Sequence, residues 1–288
     1  MTDRVLLPSA VTPVHYDLEI EPDFILLKFR GSLDVAVKVN GTTDTVVVHS
    51  KEIQVKDASF TDEAGKSFTL VEISYNLDYT TLSLRFSEPL TVGKGSIHIS
   101  YEGILNGDMA GFYKSGYTDA DGKKQTMAST QFESLDARRA FPCWDEPAMK
   151  ATFGLTLVVP SELTALSNMP EVSSRHLPNG KKKVVFDISP KMSTYLLAWA
   201  VGQFDYVQGK TAHGVTIRVF SPPGRADHGN FALDVAKRSL DFYDDFFDEA
   251  YPLPKLDMIC CTEFAMGAME NWGLVTYREV DLMVDMSK

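Results

Sequence analysis

No two of the three cysteines, Cys143, Cys260 and Cys261, stand at the spacing of a zinc knuckle or a redox pair. Free buried thiols in a reducing, cytoplasmic compartment are the expectation, with no disulfide framework behind the fold. Basic charge is scarce as well, 28 Lys and Arg against 39 Asp and Glu giving a formal net charge of -11. That balance argues against nucleic acid, whose phosphates are held by Lys and Arg displacing counterions. A cationic ligand suits it better, although acidity also serves solubility alone. Nowhere does an apolar run reach the length that spans a bilayer. The first ten residues, MTDRVLLPSA, hold too short an apolar stretch before Pro8 for a secretory signal. Internal repeats and low-complexity segments are also missing.

What is present over most of the chain is period-two alternation. Tyr16 to Ile20, Leu33 to Val39, Val46 to His49, Phe68 to Tyr75, Leu82 to Phe86 and Ile97 to Tyr101 each alternate apolar and polar residues. Such runs predict antiparallel sheets with one buried and one wet face. Further runs lie at Thr152 to Val159, Lys183 to Ile188 and Tyr195 to Val207. Asn40-Gly41, formally part of a glycosylation sequon with Thr42, reads as a tight hairpin turn between two of these strands. Thr118 to Lys123 reads as an exposed loop or hairpin tip, and the Lys181 to Lys183 cluster as a solvated turn. At 288 residues two domains are expected, and the boundary is placed near Tyr206.

Beyond that boundary the periodicity changes. From Asp227 to Asp248, Phe231, Val235, Leu240, Tyr243, Phe246 and Phe247 recur at helical spacing, predicting an amphipathic helix ended by Pro252 and Pro254. Strands are expected at Leu256 to Cys261 and Gly273 to Tyr277. The fold class is therefore mainly β, followed by the opening of a mixed α/β unit.

Two segments stand apart from ordinary scaffold. TQFESLDARRAFPCWDEP, from Thr130 to Pro147, interleaves Glu133, Asp136, Arg138, Arg139, Asp145 and Glu146 with aromatics. Most of these charges read as a buried ion-pair network pinning the segment onto another domain. Gln131 and Glu133 alternate with Phe132, so a strand would place them on one face, opposite the ring. In FAMGAMENWG, from Phe264 to Gly273, the small pair Gly267 and Ala268 lies between Met266 and Met269, and Glu270 follows. Such a segment lets another backbone approach and pair, with a carboxylate waiting at its end. A Gly-Ala bulge with Glu270 as a surface charge is the other reading that spacing allows.

GAMEN, at Gly267 to Asn271, resembles the exopeptidase motif of the M1 zinc aminopeptidases. The block TQFESLDARRAFPCWDEPAMKATF, SNMP at Ser167 to Pro170, MSTYLLAWAVGQFDY at Met192 to Tyr206 and YPLPKLD at Tyr251 to Asp257 are similar to segments of its puromycin-sensitive members. They occur in family order from about Leu7 onward. The resemblance implies a saddle-like antiparallel β-sandwich domain over residues 1–206 and the start of a thermolysin-like catalytic domain over 207–288. It implies that the GAMEN backbone (Gly267, Ala268, Met269, Glu270, Asn271) binds a peptide as an added strand. Glu270 and Glu133 would hold the peptide's free α-amino group, with Gln131 and Met266 shaping the pocket for its first side chain. The family cuts with HExxH and a later glutamate, which bind zinc and activate water. None of His15, His49, His98, His176, His213 and His228 is followed by that pattern. The expectation is thus the N-terminal part of a zinc metalloaminopeptidase, ending before its HExxH motif. It has no zinc site and no activity of its own, and an apolar surface left by the incomplete domain could drive dimerisation. A non-catalytic, β-rich interaction module is the alternative.

Overall fold

The computed structural model describes residues 6–119 and 122–285. Strands come first: β1 (Val11–Asp23), β2 (Lys28–Val39), β3 (Thr45–His49), β4 (Ile53–Asp62), β5 (Ser67–Phe68), β6 (Leu70–Asn76), β7 (Thr81–Phe86) and β8 (Gly93–Ile104). They continue with β9 (Gly111–Thr118), β10 (Lys124–Gln131), β11 (Thr152–Pro160), β12 (Thr164–Ser167), β13 (Glu171–His176), β14 (Lys181–Phe186) and β15 (Trp199–Gly202). An eight-stranded sheet runs in the order β13-β14-β11-β1-β2-β8-β4-β5, and a three-stranded sheet in the order β3-β7-β6. The four-stranded sheet β12-β15-β10-β9 completes this part of the molecule.

Alternation explains the large sheet. In β2, Phe29, Leu33, Val35, Val37 and Val39 are buried while their neighbours face outward. Gly31 occupies an inward position because the ring of Tyr101, on the next strand, fills it: a Cβ there would lie 2.1 Å from Tyr101 Cζ. The inward faces and the smaller sheets share one apolar core that holds Tyr16, Phe60, Phe141, Trp144 and Trp199.

The second part opens with β16 (Asp205–Lys210) and β17 (Thr216–Ser221), followed by helix α1 (Asn230–Phe247). Strand β18 (Lys255–Cys261), the short β19 (Ala268–Met269), β20 (Leu274–Arg278) and the single-turn helix α2 (Glu279–Leu282) close it. Its sheet is ordered β16-β17-β18-β20-β19, with β17, β18 and β20 parallel and β19 antiparallel at the edge. One face of this sheet packs under α1 through Ile217, Val219, Ala232, Met258 and Cys260. The other face joins the β core through Phe220, Ile259, Cys261, Phe264, Met269 and Leu274.

Several expectations from sequence are corrected. Asn40-Gly41 makes no hairpin, because β3 leaves the sheet of β2 and pairs with β7. Neither residue takes the positive φ that a two-residue hairpin turn needs. Asn40 instead binds back to Ser9 and Ala10. Lys181 to Lys183 lie within β14, not a turn, and the Lys183 ammonium reaches Glu19 of β1 at 2.6 Å. The run Tyr195 to Val207 is split into a 3-10 turn at Thr194–Leu196, then β15 and β16 in different sheets. Helix α1 ends ahead of the prolines, at Asp248, which adopts the left-handed conformation at φ 52°. The tip expected between Thr118 and Lys123 joins β9 to β10 as a hairpin, and its residues 120–121 lie outside the described residues.

Candidate functional site

The first motif segment follows β10 of the four-stranded sheet and the second contains β19 of the five-stranded sheet, and the two sheets are joined by contacts of Tyr113 with Glu263 and of Ser129 with Cys261. Strand β10 carries Gln131 as its last residue, so Phe132 and Glu133 leave the strand rather than continue its alternation. Phe132 is buried edge-on against Trp199 and Phe141, with centroid distances of 5.3 and 6.1 Å, and this anchor fixes the turn. Gln131 is also buried, and its Oε1 has no hydrogen-bond partner. Glu133, one residue past the anchor, is exposed.

The charges that follow form a structural network. Arg138 and Asp145 pair at 2.9 Å in the interior, and Arg139 meets Asp136 and Asp108, each at 3.1 Å. The network ties the segment to β3 and the loop after it, through Cys143 against His49 and the Arg138 carbonyl against Lys51. Those partners belong to the first part of the chain, so it does not reach across to a second domain.

In the second segment, the Arg278 N–H donates to the Gly267 carbonyl at 2.9 Å. Its guanidinium takes the carbonyls of Met266 and Ala265, both at 3.1 Å. Ala268 pairs with Tyr277 and Met269 with Thr276. Because the Arg278 to Gly267 bond flanks the Ala268–Tyr277 pair, Ala268 turns its own N–H and C=O away from β20, toward the open edge. Met266, Gly267, Ala268 and Glu270 are exposed, whereas Met269 and Asn271 are buried. The Asn271 amide braces the turn against Met269 O at 3.5 Å and Thr276 Oγ1 at 3.4 Å.

Both ends of this loop are fastened to the β part. At the entrance, Tyr113 of β9 donates to the Glu263 carbonyl at 2.8 Å, and Cys261 Sγ lies 3.7 Å from Ser129 Oγ of β10. At the exit, Asn168 donates to the Trp272 carbonyl at 2.8 Å. Beside it, the Lys255 ammonium contacts the carbonyls of Ser167 at 2.6 Å and Gly273 at 2.8 Å, and Asp257 at 2.7 Å. Burial pushes the Lys255 pKa down to about 8, against the pull of Asp257. Sequence reasoning missed Lys255, Asn168, Tyr113 and Arg278. YPLPKLD and SNMP were legible only as likeness, since neither carries a recognisable chemical spacing. A groove of about 780 Å³ between the eight- and three-stranded sheets, lined by Lys28, Tyr75 and Glu102, includes none of the candidate residues.

Residues 12–196 match the Peptidase M1 N-terminal domain and residues 231–288 the Peptidase family M1 domain. The chain belongs to peptidase family M1. Within that family it is similar to aminopeptidases. It is 47% identical over 279 residues to Aminopeptidase M1-C of Oryza sativa subsp. japonica, an alignment covering 97% of this chain and 31% of the relative. To the Puromycin-sensitive aminopeptidase of Caenorhabditis elegans it is 42% identical over 280 residues, covering 97% and 30%. The Alanine/arginine aminopeptidase of Saccharomyces cerevisiae is 43% identical over 287 residues, covering 98% and 33%. The chain therefore spans about a third of the length of these curated relatives.

The zinc that the family implies does not fit the residues present. Among the described residues no group of three His, Cys, Asp or Glu side chains is placed to hold a metal ion. No helix of the described residues is long and apolar enough to cross a membrane.

Proposed function

We propose that this chain supplies the part of a zinc aminopeptidase that grips the free amino end of a peptide. Residues 1–206 act as one domain and residues 207–288 as the beginning of the catalytic one. The peptide lies along the open edge of β19 and pairs with the outward N–H and C=O of Ala268, where Gly267 leaves room for its backbone. Its α-ammonium meets Glu270 and Glu133. An α-amino group titrates near neutrality, and two carboxylates beside it keep it charged and bound. A chain extended past that point brings no charge to offset their mutual repulsion, so residues leave one at a time. Gln131 turns its unpaired Oε1 to the first residue, Met266 covers that residue's side chain, and Met269 and Asn271 hold the strand from behind. Zinc and the attacking water belong to a part of the protein outside these 288 residues. The protein works in the cytoplasm.

The observation that carries the reading is the outward-facing edge of Ala268 with exposed Glu270 behind it, fastened to the sheet whose strand β10 ends in Gln131, two residues before Glu133. A peptide with a free amino terminus and its N-acetyl twin, titrated into the chain by calorimetry, test it. The acetylated twin should bind about tenfold or more weakly, the loss expected when a charged partner is removed from a charge pair. Equal binding of the two overturns the reading. In the longer protein, hydrolysis of an aminoacyl arylamide should stop on chelation; hydrolysis indifferent to chelator would exclude the zinc mechanism.

A further inference from the structure

We propose that Lys255 is a positioning residue: by holding the carbonyls of Ser167 and Gly273 together it sets the GAMEN edge strand in register with the sheet whose strand β10 leads into Glu133. The inference rests on the reading of Glu133 and Glu270 as a joint site for an amino terminus. Two carboxylates that follow strands of different sheets form one site only if something fixes the sheets to each other, and a displacement of an ångström is enough to spoil it.

The path between them runs across one sheet and through one clamp. Strands β12, β15 and β10 are neighbours in one sheet, and Ser167 lies opposite Trp199. Thr130 Oγ1 in turn accepts the Trp199 N–H at 3.0 Å, so Ser167, Trp199 and Thr130 make a row across the sheet. Gln131 and Glu133 follow Thr130 at one end of that row. Asn168 follows Ser167 at the other, its Oδ1 taking the Ala198 N–H at 2.8 Å and its Nδ2 giving to Leu196 O at 2.7 Å.

Onto this end the GAMEN exit is clamped. Asn168 Nδ2 also holds Trp272 O, and the Asn168 carbonyl lies so near Gly273 that a Cβ there would approach it to 2.2 Å. Gly273 has φ +74°, a conformation that glycine alone takes freely. Lys255 completes the clamp with three acceptors for its three N–H donors: Ser167 O from the four-stranded sheet, Gly273 O from the turn that enters β20, and Asp257 beside it. Asp257 is independently paired with Arg218 through two contacts of 2.6 Å, so it does not need the lysine to be neutralised. A lysine buried to 5% exposure solely for stability is a poor use of a charge, because an apolar side chain of that length costs less to bury. Joining two backbones across a sheet junction is what the ammonium does that an apolar chain cannot.

Nitroxides attached at Leu135→Cys, beside Glu133, and Ala265→Cys, at the start of the GAMEN loop, report the separation by electron–electron distance measurement. Both positions are exposed and the native thiols are buried. With Lys255 intact the distribution should be single and narrow. Lys255→Met should broaden it about twofold while the far-ultraviolet dichroism of the sheets is unchanged, a loss of register that supporting shells normally prevent. Lys255→Arg, which can still reach both carbonyls, should restore much of the narrowness. Asn168→Ala serves should Lys255→Met fail to fold, and should broaden the same distribution. A native width in both substituted chains, whatever their melting temperatures, overturns the proposal, since a merely stabilising lysine would move the melting temperature alone. The peptide titration above decides amine recognition separately, because the distance is read with no peptide bound.

Discussion

The guanidinium of Arg138 and the carboxylate of Asp145 meet at 2.9 Å with 8% and 2% of their side chains exposed. Seven residues apart, they close the turn that follows Glu133 and hold it against β3. Asp145 also donates its backbone N–H to Nδ1 of His49 at 3.3 Å. That bond needs an unprotonated Nδ1, so His49 is neutral with its proton on Nε2.

Breaking this pair from one side should be costly. Asp145→Ala leaves a buried guanidinium with only Thr80 Oγ1 and a carbonyl, and should destabilise by about 3–5 kcal/mol in urea unfolding. The double change Arg138→Met with Asp145→Leu should recover most of that loss. The same corner sets the acid limb. Burial, then Arg138, pushes the His49 pKa down to about 4, so between pH 6.5 and 4 the unfolded chain takes the proton first. Stability should fall by about 2 kcal/mol across that window, allowing for partial solvent screening. Burial raises the Asp145 pKa, which works in the opposite sense above pH 3.8. His49→Asn, whose Oδ1 can take the place of Nδ1, should flatten the slope; an unchanged slope would show that other groups set it.

The alkaline limb should be set by sulfur. Cys143, Cys260 and Cys261 are fully buried, and burial pushes Cys260 and Cys261 up to about 12 and Cys143 up as well. An unfolded thiol loses its proton near pH 8.5 while the folded ones keep theirs, so their contribution is complete below that pH and is lost above it. Lys255, held at about 8, acts in the opposite sense up to pH 10.5, one group against three. Net stability should therefore decline above about pH 9. Ellman's reagent should label no thiol in the native chain at pH 8 and three on adding denaturant. Labelling at a rate indifferent to denaturant would contradict the burial.

The strands legible in the sequence are those with one wet face, such as β2, where alternation survives intact. Strand β4 hides because a bulge between Val55 and Asp57 breaks its period, and β13 because all its residues are exposed. The last five residues of β10 are all buried, which erases the alternation that would have marked the strand leading to Glu133. The site itself was legible only as a motif. Its exposed glutamates look like any surface charge, and the lysine that clamps it belongs to a residue type read by default as solvated. What makes Lys255 different is a pair of carbonyls 88 and 18 residues away, which no local pattern encodes.

Helix α1 leaves much of its apolar surface uncovered. Ala232, Leu233, Ala236 and Leu240 pack toward the sheet. Phe242 stacks on Phe246 at 5.6 Å and Tyr243 on Phe247 at 5.9 Å, and all four rings are more than half exposed. Contiguous exposed aromatics of this kind mark a surface made for contact. In the chain alone, self-association through that face is the expected result, visible as a concentration-dependent rise in sedimentation coefficient. Phe242→Lys with Phe246→Lys should abolish it. Stability should shift by no more than about 0.5 kcal/mol, because neither ring is buried and a cation near a helix C-terminus is favourable. Should the substituted chain associate as strongly as the original, the contact lies elsewhere, and the aromatic face of α1 is then not what brings the copies together.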